Sequence, residues 1–428
     1  MADHCCPVYD GKFDMDGRPI AGRVHESKQI NPENHLANVP VEHIHYYTPR
    51  QRIPAGSAIV PQVGGASIPK VFQPLKLRGL ILQNWIMMSP LCQYSAEDGH
   101  LTDWALTHLG GILERGPDLT FVEATAVTPN GRITPEDSRL WKDSQIAPLK
   151  KIVDFAHGQG QNIALQLCHA GRKGSTVAPW IDRKAGAPTD VGGWPDDIIS
   201  VSTKRFDATT DVPKAMTPEE IEEFKWAWVE IHAAHGMLLN SFLSPAANDR
   251  TDNYGGSLDN RMRLLLELTE LTRKEIPDSM PLFVRMPASD WMEHERELES
   301  WDIKQATTLA KALVESGVDF LDVSSGGLVA AQKITAGPGY QAPFSEEILL
   351  AVKGSGVAVG VVGMIMSGKQ AEELLSRDVA DAVVVGKGFM KNPALVWSWA
   401  EELGVEVRVA NQIGWAFGQK ADRGVLER

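Results

Sequence analysis

The sequence predicts an α/β fold, a (β/α)8 TIM barrel carrying an N-terminal arm and long loops on its C-terminal face. Three observations predict it. Eight short apolar segments recur along the chain, each ending in polar residues, at 85–90, 119–127, 162–168, 228–234, 281–286, 318–325, 357–363 and 381–386. Helical patterns such as 303–316 and 368–376 lie between most of them, and strands that alternate with helices form parallel βαβ units. No Gly-x-Gly-x-x-Gly follows the first segment, which disfavours an open doubly wound sheet.

Residues 1–66 are rich in Pro, Gly, His and charge and keep no period of 3.6 or 2, so they read as an extended arm on a barrel spanning 67–428. Residues 69–75 and 77–82 resemble the two arms of a hairpin that would close the barrel floor. The loops after the third and fourth strands, 171–218 and 241–260, are long enough to wall a site. The tail, 404–428, carries Trp415 and Phe417, which suit packing on the barrel or across a homodimer or tetramer interface.

Composition narrows the function. A net charge of −13 argues against a nucleic-acid partner, which needs a basic face. No apolar run approaches the ~20 residues of a membrane span, and the N-terminus lacks the pattern of a signal peptide. Four cysteines in 428 residues do not form a disulfide framework, so a reducing, cytoplasmic setting is expected. Cys5 and Cys6 read as incidental.

Barrel enzymes carry their chemistry at the C-terminal ends of the strands. Those ends collect Ser89, Pro90, Cys92 and Tyr94 from strand one, Glu123 and Ala124 from strand two, and Gln166 and His169 from strand three. They add His232 and His235 from strand four, Arg285 from strand five and Ser325 from strand six. Gly363 follows strand seven, and Gly386 with Lys387 follows strand eight. Glycines after the last three strands suit a phosphate cradle, and with Arg285 and Gln166 they point to a phosphate-bearing planar cofactor. The two histidines alone serve equally well as partners for loop backbone or as donors to a substrate oxygen. Their His-x-x-His spacing lacks the glutamate and third ligand of a zinc site, so no metal is expected.

Ordered motifs carry a resemblance. Met88-Ser89-Pro90-Leu91-Cys92-Gln93-Tyr94-Ser95, Gln166-Leu167-Cys168-His169-Ala170-Gly171-Arg172-Lys173, His232-Ala233-Ala234-His235-Gly236 and Phe242-Leu243-Ser244-Pro245 resemble the Old Yellow Enzyme family. Asn248-Asp249-Arg250-Thr251-Asp252-Asn253-Tyr254-Gly255-Gly256-Ser257 and Pro281-Leu282-Phe283-Val284-Arg285 continue it, and the likeness over residues 69–420 is to the YqjM-type, fungal-like branch. The resemblance implies FMN at the barrel mouth, NADH or NADPH as reductant, and transfer of hydride from reduced flavin to an activated alkene, such as an α,β-unsaturated carbonyl, or to a quinone. It implies that Ser89, Pro90 and Ala124 touch the flavin ring, that Gln166 and Arg285 bind its pyrimidine side, and that Ser325, Gly363, Gly386 and Lys387 hold ribityl and phosphate. Cys92 would tune the flavin, while Tyr94, His232 and His235 would donate to the substrate carbonyl. Lys387 stands where the family usually has Arg, so a bidentate phosphate fork becomes a single charge.

Two departures bear on activity. The family's proton-donating tyrosine is replaced by Met237, whose thioether donates no proton. The stretch 217–235 is shorter than in the family, which implies a contracted third helix and fourth strand. Trp85, Asp103 and Ala105 are smaller oddities. Met237 favours an alternative, a non-reductive, isomerase-like activity on bound FMN. The contraction favours another, a flavin-free barrel with a binding role.

Overall fold

The computed structural model describes residues 38–225, 231–295 and 297–419. Within them, β1 (Leu75–Leu77) and β2 (Leu80–Leu82) form the antiparallel hairpin, shorter than expected because Lys70–Phe72 is a helical turn. The barrel strands follow: β3 (Ile86–Met88), β4 (Leu119–Ala126), β5 (Asn162–Cys168), β8 (Ile231–His232), β9 (Phe283–Pro287), β10 (Phe320–Ser324), β11 (Ala358–Val361) and β12 (Ala382–Val385). They close in that order, β12 pairing with β3, and every barrel pair described is parallel. Two short strands, β6 (Ile199–Ser200) and β7 (Lys214–Ala215), pair within the long loop after β5.

The floor is apolar because alternate residues of each strand face inward. Met87, Leu119, Phe121, Phe283, Phe320, Ala358, Ala382 and Val384 form one buried cluster, which Leu77 and Leu82 of the hairpin join. Phe283 lies 5.6 Å from Phe121 and 4.9 Å from Phe320, ring centre to ring centre. Burying each such side chain contributes roughly 1.5–3 kcal/mol, so the lower barrel is the rigid base of the site.

Helices on the outside start where a side chain satisfies the first free N–H groups. Ser257 caps α5 (Leu258–Glu275), Asp302 caps α6 (Ile303–Glu315) and Ser367 caps α8 (Gly368–Ser376). The helices α1 (Asp103–Leu113), α2 (Ile146–Gly158), α7 (Ala342–Ala351) and α10 (Leu395–Leu403) complete most of the ring. Short helices α4 (Leu238–Leu243) and α9 (Lys387–Lys391) sit after β8 and β12. No described helix is long and apolar enough to cross a membrane.

The fourth unit differs from the others. Its helix α3 (Pro218–Phe224) has seven residues, with Thr217 and Glu220 forming a capping box and Pro218 at the first position. Of the strand expected at 228–234, Ile231–His232 is strand, Ala233 and Ala234 leave it, and 228–230 lie outside the described residues. β8 pairs with β5 through Leu167–Ile231 and with β9 through Ile231–Val284 and His232–Arg285. On the β5 side, residues 162–165 are only half-buried, whereas all of β4 is buried.

The described part of the arm runs beside the segment that follows α10. Gly56 N–H donates to Arg408 O and Ile59 N–H to Glu406 O, each at 2.8 Å, and Gln62 reaches Glu406 O at 2.9 Å. Residues 1–37, with Cys5 and Cys6, and residues 420–428 lie outside the described residues.

Candidate active site

Two residues above the apolar floor, the inward positions turn polar. Ser89 follows Met87, Glu123 follows Phe121, Gln166 follows Ala164, Arg285 follows Phe283 and Asp322 follows Phe320. Parallel register sets His232, Arg285 and Asp322 side by side. A ring of buried polar groups therefore lies at the barrel mouth.

Arg285 anchors the ring. Its Nη1 donates to Ser89 Oγ at 2.9 Å, and Asp322 Oδ2 lies 3.2 Å from its Nε, out of line for a hydrogen bond. Burial raises the Asp322 carboxyl, and the Arg285 charge partly offsets this. Gln166 is 2% exposed, and its Nε2 has no acceptor among the described residues. A buried amide donor without a partner costs about 1–3 kcal/mol, so a ligand carbonyl suits this position. The pair Gln166 and Arg285 thus fits the oxygen-rich edge of a flavin.

Ala124 lies where the β4–β5 register slips between Val122 and Thr125, a bulge that takes its backbone out of the ladder. On the far side, Ser325 Oγ donates to Gln341 Oε1 at 2.5 Å and accepts from Trp291 Nε1 at 2.8 Å. Gly363 has φ +113°, and a Cβ there would approach Tyr340 and Gln341 to 3.1 Å. A Cβ on Gly386 would reach Leu91 at 3.1 Å, which places this turn beside the Pro90 segment. Lys387 is exposed and opens α9.

The histidines lie on the fourth unit. Their rings are 5.2 Å apart and edge to face. His235, at φ +60°, places Nε2 2.6 Å from Ser324 Oγ. Burial, then the Arg285 charge, holds both imidazoles well below their ordinary range, so each is neutral with one N–H to give. His169 is pushed down to about 3 by burial, and its Nδ1 accepts from Gly171 N–H at 3.0 Å.

Cys92 and Tyr94 form a second group. Burial, with Asp137 and Glu123 nearby, keeps the Cys92 thiol protonated and raises the Tyr94 phenol well above its usual value. Glu123 Oε2 accepts the Gln93 N–H at 2.7 Å, and burial pushes this carboxyl up to about 8. Tyr94, at φ +50°, meets Trp180 edge to face at 5.7 Å rather than meeting the histidines. Met237 is half-buried and precedes α4, accepting Ser241 N–H at its carbonyl.

Several contributors were given no role by the sequence, although Lys173 closes the 166–173 motif. Lys173 Nζ donates to His235 O and Gly327 O, each at 2.9 Å, tying the turn after β8 to the turn after β10. Burial lowers this ammonium to about 8. Asp322, Asp137, Trp180 and Trp291 also escaped the reading of strand ends. Asp322 could have been found from the alternation, two residues after Phe320.

Comparison with known proteins agrees with this geometry. Residues 70–405 match the NADH:flavin oxidoreductase / NADH oxidase family. The NADH:flavin oxidoreductase FG08077 of Gibberella zeae is 48% identical over 411 residues, covering 91% of this chain and 98% of that protein. An NADPH dehydrogenase of a Geobacillus strain is 38% identical, covering 81% of this chain and 99% of its own length. Morphinone reductase in complex with tetrahydroNAD shares the fold, with a TM-score of 0.63 and 24% identity over 80% of this chain and 93% of that one. The family match over residues 70–405 and the identity to these flavin oxidoreductases and NADPH dehydrogenases make the protein an NAD(P)H-dependent flavin oxidoreductase of the Old Yellow Enzyme family.

Proposed function

We propose that the protein is an FMN-dependent ene reductase that reduces activated alkenes such as α,β-unsaturated carbonyls. The observation that carries this reading is the neutral His232–His235 pair set beside the Arg285–Gln166 edge. When bound, the flavin supplies two-electron transfer between a nicotinamide and the alkene.

Gln166 and Arg285 would hold the pyrimidine side, where a fixed cation stabilises negative charge on the reduced ring. Ser89 orients Arg285 through the 2.9 Å bond. Ser325, Gly363, Gly386 and Lys387 would hold ribityl and phosphate, and Ala124 would present its backbone to the ring. The cytoplasm, with its NADH and NADPH, is the proposed setting.

The imidazoles would donate to the substrate carbonyl and polarise the alkene. Neutral donors suit the task, since no proton must leave the carbonyl oxygen afterwards. Cys92 stays a thiol and would lie beside the ring. The proton for the α-carbon must come from a group other than Met237. Tyr94 keeps its phenolic proton at any physiological pH and is the acid proposed here.

The test is anaerobic turnover of 2-cyclohexen-1-one with NADPH and with NADH, followed by product analysis. Saturated ketone formed in step with nicotinamide oxidation supports the reading. Isomerised or unchanged enone, with flavin that is still reduced, overturns it in favour of the non-reductive activity that Met237 suggests.

A further inference from the structure

The loop after β5 holds a small, ordered projection over the Tyr94 side of the mouth. Ala187 N–H donates to Ser175 O at 2.7 Å, Val177 N–H to Ala185 O at 3.2 Å, and Thr176 N–H to Ile133 O at 2.8 Å. Thr176 and Gly186 face each other in an antiparallel bridge. The tip turns on buried Ala178, whose carbonyl accepts Ile181 N–H at 2.9 Å. Beyond it stand Trp180 and Ile181, 67% and 70% exposed. Trp180 meets Tyr94 edge to face, while on the other flank Trp104, 55% exposed, donates its Nε1 to Gln93 Oε1 at 3.3 Å.

Neighbouring large apolar side chains left in water on a fixed scaffold suit contact with an apolar ligand. Here they flank Tyr94, the residue proposed as the proton donor. A small cyclic enone at Tyr94 leaves such a surface in water, whereas an extended planar substituent covers it. Tryptophan gives the most in such contacts, because its flat face buries a large area and its ring adds an edge or stacking term.

We infer that Trp180, with Ile181, is a specificity wall, and that the favoured substrates are activated alkenes bearing an extended aryl or comparable planar apolar group. The inference rests on the ene-reductase reading for the word alkene, but the wall itself is a statement about binding. Trp180 is a specificity residue, outside the reacting atoms, at an exposed loop tip, so its replacement leaves the core packing alone.

The experiment measures affinity of the FMN-loaded protein for two saturated ketones that cannot be reduced, 4-phenylbutan-2-one and cyclohexanone. Isothermal titration is run on the parent, Trp180→Ala and Trp180→Phe, and turnover of the matching enones, 4-phenylbut-3-en-2-one and 2-cyclohexen-1-one, is run alongside. The expected result is that Trp180→Ala lowers the aryl-over-cyclic affinity ratio about tenfold and Trp180→Phe restores most of it. Equal weakening of both ketones overturns the wall and makes Trp180 a support for Tyr94. An unchanged ratio, or a change only in the sedimentation-derived mass of the protein, overturns it in favour of an empty loop or a contact between copies. A parent that discriminates the ketones yet reduces neither enone keeps the wall and defeats the ene-reductase reading alone.

Discussion

The two sides of the barrel mouth are held in place differently. On the Arg285 side, β9 and β10 are joined over five residue pairs, and β4 and β5 over six. On the histidine side, among the described residues, β8 has one pair with β5 and two with β9. The first side is positioned by its ladder. The second is pinned from above: Lys173 binds the His235 and Gly327 carbonyls, Ser324 meets the His235 ring, and Leu238 N–H donates to His169 O at 2.9 Å. Its helix is fastened from outside, where Lys225 Nζ lies 2.8 Å from Glu267 and 2.9 Å from Tyr254 Oη. Among the described residues, the histidine turn is therefore held by contacts from neighbouring turns as well as by its ladder.

Arg285→Leu should give the largest effect, since it removes the cation under the proposed pyrimidine site and leaves Asp322 buried without its partner. Loss of flavin after gel filtration and a stability loss of about 3 kcal/mol are expected, read by absorbance and by urea melts. Retained flavin would place the cofactor's weight elsewhere.

Met237→Tyr tests the pinned side directly. If the turn is correctly placed, restoring an acid should speed cyclohexenone reduction by roughly tenfold to a hundredfold, less than the full range for general acids. No gain, with nicotinamide oxidation unchanged, would mean that position 237 points away from the α-carbon.

Lys173→Met removes the clamp and strands two carbonyls. A loss of about 2 kcal/mol is expected, together with a higher KM for the enone as the His235 turn loosens. Lys225→Ala should cost less, about 1 kcal/mol, because Glu222 and Glu267 are partly solvated and screened. A larger loss than that from Lys173→Met would reverse the order of importance of the two fastenings.

The pH dependence gives a finer test. Glu123 sits at about 8 in the folded chain against an ordinary 4.5. Such a raised acid contributes stability that is complete below about pH 4.5 and is lost as pH rises through 8. The thermal midpoint of the parent should therefore fall relative to that of Glu123→Gln between pH 5 and pH 9. Parallel midpoints would contradict the buried, protonated carboxyl. The histidines act in the opposite sense: held low, they remain neutral in the fold while the unfolded chain gains protons, so stability drops as pH falls below about 6.5. Activity itself should show no acidic limb near that pH.

The barrel was legible because inward and outward residues alternate and helices intervene. β5 and α8 fall on the expected residues, 162–168 and 368–376. The C-terminal ends of the other strands differ by one or two residues, most of them stopping short where the polar positions turn out of the ladder. The motif residues were legible as a set, but their partners were not. Lys173 acts through two backbone carbonyls distant in sequence, and Trp180 acts from the tip of a loop, so neither leaves a periodic signal. Asp322 and Glu123 did leave one, as polar steps in inward-facing apolar rows. The contraction expected at 217–235 rests on the absent turn between helix and strand, and residues 226–230 of that passage lie outside the described residues.

The most direct test is the visible spectrum of the purified protein after FMN is added in excess and removed by gel filtration. A retained flavin band that bleaches under anaerobic NADPH or NADH is the expected result. A well-folded sample with no retained band would contradict it, because the ring of Ser89, Gln166 and Arg285 would then not be a flavin site.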